Sequence, residues 1–216
     1  MRTRGVLFAA AGALVLAGGL VGVGCEKTAE VDQPLTKVGQ GAGCLDTLPT
    51  QFPYTPGCCD YEVLVPELQE SGFDVTTLGP QPKPDHIHAS WAGATSSTFA
   101  INWRTDMETK ATVLLYGTDK DAVAAAEGPD AGVKRVTGHH MLYGGVLDGS
   151  NYTRVHEVHV CGLAASTSYH YKVGAPGAWS AVYNVSTGPA VGSTEPYSFA
   201  VTGDSRDEPA IFAQIQ

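Results

Sequence analysis

Between His86 and Gly188 apolar and polar side chains alternate in short runs, each closed by turn residues. A period of two places successive side chains on opposite faces of an extended strand, so each run has one face to bury and one to wet. The runs are 86–92 (HIHASWA), 96–105 (SSTFAINWRT), 111–117 (ATVLLYG), 153–163 (TRVHEVHVCGL), 167–174 (TSYHYKVG) and 179–188 (WSAVYNVSTG). Phe99, Ile101 and Trp103 share a face, as do Tyr169, Tyr171 and Val173, while Val155 lies opposite Val158 and Val160. Strands of this length in series predict an all-β, antiparallel sandwich. The stretch 118–152 breaks the pattern. Within it, 121–128 (DAVAAAEG) predicts a helical turn, and 137–145 (TGHHMLYGG) predicts a loop carrying His139 and His140.

Composition agrees with an exported β module. Charged residues are 16%, below the ~25% usual for soluble domains. The net charge of −9 gives no basic footprint for nucleic acid. Arg2 and Arg4 precede an apolar, Ala/Gly-rich run at 6–21, and small residues then lead to Cys25. This is the layout of a secretory signal over 1–25, short for a spanning helix and oriented to export the rest of the chain. Cys25 after a small-residue site is also similar to a bacterial lipoprotein signal, in which it would carry lipid and attach the protein to a membrane; the other reading is ordinary cleavage. Gly22 stands where that signal usually has a branched aliphatic residue. Setting Cys25 aside leaves Cys44, Cys58, Cys59 and Cys161. In an oxidising compartment these are disulfide candidates. Cys58 and Cys59 are adjacent and unsuited to pair with each other, so one would reach Cys44 and the other Cys161.

Residues 26–57, rich in Gly, Pro, Thr and Gln, read as a tether entering a Cys-stapled loop, and the whole of 26–84 as linker and loop. The prolines of 79–85 (GPQPKPD) mark a boundary, after which a domain spans 85–190. Residues 197–206 (YSFAVTGDSR) differ in kind. An apolar run ending in Gly203-Asp204 suits a buried parallel strand that delivers a side chain into a site. A helix start comes next, with Pro209 in its first turn and Ile211, Phe212 and Ile215 on one face. A lone strand and part of a helix cannot bury their apolar faces, so 196–216 is expected to be the incomplete start of a further domain, its apolar side chains poorly packed.

The ordered set of segments IHASW (87–91), FAINWR (99–104), LLYG (114–117), VHEVHVCGL (155–163), Tyr169-His170-Tyr171-Lys172-Val173-Gly174 and Trp179-Ser180 with Tyr183 resembles the fibronectin-III-like N-terminal domain of purple acid phosphatases. FAVTGDSR (199–206) resembles the opening strand and first Gly-Asp motif of calcineurin-like metallophosphoesterases. The resemblance implies a fibronectin-III/immunoglobulin-like sandwich followed by a domain in which two metal ions, of the Fe, Zn or Mn type, bind a phosphate ester and activate water for attack. It makes Asp204 the first metal ligand; read without it, Asp204 would be a helix N-cap. Arg206 stands where relatives often carry Gly or His, and would meet phosphate through its planar fork or pair with Asp207. The family's later Gly-Asn-His and His-rich motifs are absent from these residues. A single Asp cannot hold two metals, so this polypeptide alone is expected to bind none and to be inactive.

The resemblance also makes His88 and His156 structural residues of the sandwich. Trp103, Tyr169 and Tyr171 read as core or corner residues. The competing reading is a lipid-tethered surface module that binds a partner or spaces a domain; a weaker one is a carbohydrate-binding sandwich, whose mark would be exposed aromatic rings.

Overall fold

The computed structural model describes residues 48–64, 70–144, 152–198 and Ala200. These lie in the compact unit spanning Lys37–Gln216. Among the described residues nine strands and one helix come in this order: β1 (Ser71–Gly72), β2 (Asp85–Ser90), β3 (Phe99–Thr105), β4 (Val113–Gly117), α1 (Lys120–Ala125), β5 (Lys134–Thr137), β6 (His139–Gly144), β7 (Tyr152–Val160), β8 (Ser168–Gly174) and β9 (Tyr183–Ser186). They form two sheets, ordered β1-β6-β7-β3-β2 and β5-β4-β8-β9. Neighbouring strands run antiparallel throughout. This is the antiparallel sandwich that the alternating runs predict, of the fibronectin-III/immunoglobulin-like kind that the resemblance implies.

Register explains the core. β3 pairs with β7 so that Phe99 faces Val160, Ile101 faces Val158 and Trp103 faces His156. These side chains meet Leu114, Tyr116, Tyr171, Val173 and Val185 from the other sheet, and all are buried. Full burial of each such side chain contributes about 1.5–3 kcal/mol. β4 is buried along its whole length because its outer face is covered too. There Leu115 packs with Val123 of α1 and with Val133. α1 starts at Asp119, whose carboxylate accepts the N–H groups of Asp121 (2.9 Å) and Ala122 (3.0 Å). It stops after two turns at most, where Ala126 turns extended. Tyr169 makes the corner expected of it: its hydroxyl accepts the Ala164 N–H at 3.0 Å.

Residues 137–144 are not the loop that the glycines and histidines of this stretch suggest. Thr137 ends β5 in one sheet, His139 begins β6 in the other, and Gly138 alone makes the crossing. A Cβ on Gly138 would overlap the Glu157 carbonyl oxygen, so the chain can pass this close to β7 only without a side chain. Gly138→Ala should therefore force β6 away from β7 and cost roughly 1–3 kcal/mol. An unchanged urea midpoint for this variant would contradict the packing described.

Residues 48–64, within the stretch read as tether and loop, lie against the outer face of the five-stranded sheet. Tyr54 and Val63 bond each other's backbone and are both buried. The rings of Phe52 and Phe73 stack at 4.5 Å, and Tyr54 meets the His139 ring edge-on at 5.8 Å. Cys59 is joined to Cys161, with Cα atoms 5.2 Å apart. The strap is thus fastened just past the end of β7. Cys58 is itself disulfide-bonded.

Candidate functional site

Asp204 and Arg206, on which the phosphoesterase resemblance rests, lie outside the described residues, as do Cys25 and Cys44 and the apolar side chains of Phe199, Val201, Ile211 and Phe212. Among the described residues the chemistry-bearing side chains gather in three places: the outer face of the five-stranded sheet, the core, and one end of the sandwich.

The outer face carries Glu157 at its centre. Its carboxylate accepts Asn102 Nδ2–H at 2.6 Å and lies 2.7 Å from His159 Nε2. Burial opposes its ionisation, but these two partners outweigh it and hold the carboxyl at about 2. Tyr61 Oη lies 3.0 Å from His159 Nδ1, and Tyr54 Oη lies 3.0 Å from His139 Nδ1. A carboxylate, an imidazole and a hydroxyl in line look like the parts of a nucleophilic site. The electrostatics argue otherwise. Burial, and then nearby carboxylates, push the Tyr61 phenol up to about 12, and the same effects raise Tyr54 further. Burial holds His139 down at about 4. Tyr54, Tyr61 and His139 are therefore neutral at pH 7, Glu157 is an anion, and the hydrogen bonds among these side chains and His159 fasten the strap to the sheet.

The core cluster is also saturated. His156 is fully buried and stacked on Trp103, ring centroids 5.0 Å apart. Its two ring nitrogens each lie 2.8 Å from a threonine hydroxyl, Thr105 and Thr112. His156 is structural, as the resemblance implies. His88 is not in the same position: it is exposed on the edge strand β2, with Nδ1 3.1 Å from the His86 carbonyl. The pairing of this strand with β3 shifts register between Asp85 and His88, where His86 has φ 49°. His140, on the core side of β6, receives Arg154 Nη1–H at 3.1 Å. Arg154 also donates from Nε to the Met107 carbonyl (2.7 Å) and approaches Glu70, which pairs with Lys110. No three His, Cys, Asp or Glu side chains among the described residues are grouped so as to hold a metal ion.

The third place is an open cleft of about 990 Å³ at the end of the sandwich where β3 finishes and β7 starts. Tyr143, Tyr152 and Trp179 line it, with Lys83, Asp85, Arg104 and Asp106. Arg104 donates through Nε and Nη2 to the two oxygens of Asp85, both at 2.9 Å. The Asp106 carboxylate accepts the backbone N–H groups of Gln81 (2.7 Å), Glu108 (2.8 Å) and Thr109 (2.8 Å). Burial opposes its charge, and these donors outweigh burial and lower its pKa. Sequence reasoning missed this site. Its members sit at strand ends and in loops, where no periodicity marks them.

Residues 84–187 match the family model described as the purple acid phosphatase N-terminal domain. No curated protein matches this chain.

Proposed function

We propose that this chain, whose residues 84–187 are a purple acid phosphatase N-terminal domain, is the front part of an exported metallophosphoesterase. The observation that carries the reading is that domain, with Gly203-Asp204 downstream of its last strand. In this reading the signal-like residues 1–25 direct export, with Cys25 as the lipid attachment point, and the sandwich flanks the catalytic domain. Asp204 is a ligand of the first metal ion, and Arg206 stands near the phosphate. When bound, two such ions would polarise a phosphate ester and generate hydroxide from water. The protein's own contribution at Asp204 is a carboxylate directly after a glycine, which has no side chain to hold the backbone away from a ligand.

The test is to extend the reading frame past Gln216 and assay the product. We expect Gly-Asn-His and His-rich motifs there, metal-dependent hydrolysis of a phosphate monoester, and at least about a 100-fold loss of kcat in Asp204→Ala. The 216 residues alone should be inactive. Phosphatase activity in the 216 residues alone would overturn the reading. So would a stop codon directly after Gln216, which would favour a non-enzymatic surface module instead.

A further inference from the structure

We propose that the cleft bounded by Tyr143, Arg104 and Trp179 is a binding site for a neutral polysaccharide. Four observations support this site, and none of them depends on the phosphoesterase reading.

The first is position. β9 pairs with β8 so that Ser186 lies beside Ser168, whereas the cleft is lined by Gly177, Ala178 and Trp179 beyond the other end of β8. Chain that continues past β9 therefore leaves from the opposite end of the sandwich. The connections after β3 and after β8 meet at the cleft, and a rigid sandwich can present its loops there to a ligand.

The second is size. A volume of about 990 Å³ lies at the upper end of the range for small-molecule sites, ~300–1,000 Å³. Among the described residues the cleft is open, so a chain of sugar rings can lie along it and continue out of it.

The third is the aromatic lining. Tyr143 is 57% exposed and shares the cleft with Tyr152; Trp179 closes one side, its N–H bonded to Glu127 and its ring under Lys172, so the two tyrosines are the rings open to a ligand. Aromatic rings offer flat apolar area at low entropy cost, together with polar tips, and suit the C–H faces and hydroxyls of a sugar.

The fourth is charge. Lys83 and Arg104 supply two positive charges, Asp85 and Asp106 two negative, so the wall sums to zero. An anionic ligand would find Arg104 already paired with Asp85 and would face Asp106. A cationic one would face Lys83 and Arg104. Sugar hydroxyls both donate and accept, and the Arg104–Asp85 fork holds its planar groups in a fixed orientation for them.

The test is affinity electrophoresis of the full chain in native gels containing, in turn, β-1,3-glucan, hydroxyethylcellulose, xylan, galactomannan and soluble starch. At least one should retard the protein. Tyr143→Ala and Tyr152→Ala should each weaken that retardation about five- to ten-fold, the loss of one stacked ring. Both variants must keep the parent melting temperature, which the exposure of Tyr143 leads us to expect. Retardation by none of the polymers would overturn the proposal. So would retardation unchanged in both variants, or binding that heparin abolishes, which would mark an anion site.

Discussion

Lowering the pH from 7 to 4.5 should destabilise this sandwich by roughly 5 kcal/mol, a large part of the ~5–15 kcal/mol that holds a domain folded. The cause is the pair His139 and His140, side by side on β6, both buried and both held at about 4. Burial is the main cause for each. Against His139 stand Tyr54 and Phe52 of the strap and Glu157 and His159 of β7. Against His140 stand Arg154 and Lys110, whose positive charges add to the effect of burial, and Glu70 and Asp74, which oppose it. The folded values lie below the ~6.5 of an unfolded histidine. Above pH 6.5 neither state binds the proton and the full stability is present. As the pH falls toward 4 the unfolded chain takes up protons that the folded one refuses. Each histidine then removes about 1.4 kcal/mol per pH unit. His156, pushed well below its ordinary value by burial, acts in the same direction. Glu157 works in a lower window: its folded value of about 2 gives stability that is lost between pH 4.5 and 2. Urea denaturation at pH 7, 6, 5 and 4.5 measures the slope. His140→Gln keeps an acceptor for Arg154 without titrating, and should remove about one proton from it. A stability that stays flat from pH 7 to 4.5 would show that these histidines are not refused protons.

The same strand shows where sequence reading works and where it fails. β3 and β8 were legible because Phe99, Ile101 and Trp103, or Tyr171 and Val173, alternate with more polar neighbours. Alternation marks a strand only when one face is wet. At β6 both faces begin buried: His140 points into the sandwich and His139 lies under the strap. Two adjacent histidines after a glycine carry no such contrast, so the segment reads as a loop. The strap escaped for a related reason. Residues 48–64 bury single side chains, Tyr54 and Val63, on a surface already built by other strands, and so have no period of their own. The cleft was illegible because Lys83, Arg104, Tyr143 and Trp179 come together only when four chain segments end at the same place. Asp204 is the reverse case. Its motif is readable in the sequence, while its surroundings lie outside the described residues.

Removing the Cys59–Cys161 bond should cost about 3–5 kcal/mol, since it closes a loop of 102 residues and a cross-link of that span greatly restricts the unfolded chain. The suitable variant is Cys59→Ala with Cys161→Ala, because chemical reduction would also open the bond that holds Cys58. The loss has a local part. Tyr61 sits two residues from Cys59 and bonds His159, two residues before Cys161, so the cross-link and the hydrogen bond support each other. With the bond gone, the strap is held on the sheet by the hydrogen bonds of Tyr54 and Tyr61 to His139 and His159 and by the packing of Phe52, Tyr54 and Val63. Each such hydrogen bond contributes only about 1 kcal/mol net. The strap should therefore open far more often than the sandwich unfolds. Limited proteolysis should cut within residues 48–64 of the double variant well before it reaches β3 or β8, whose side chains form the core. Amide exchange in β6 should quicken at the same time, since the strap covers its outer face. If the variant instead kept its urea midpoint and its resistance to protease, the strap would be held by its aromatic packing, with the cross-link adding nothing.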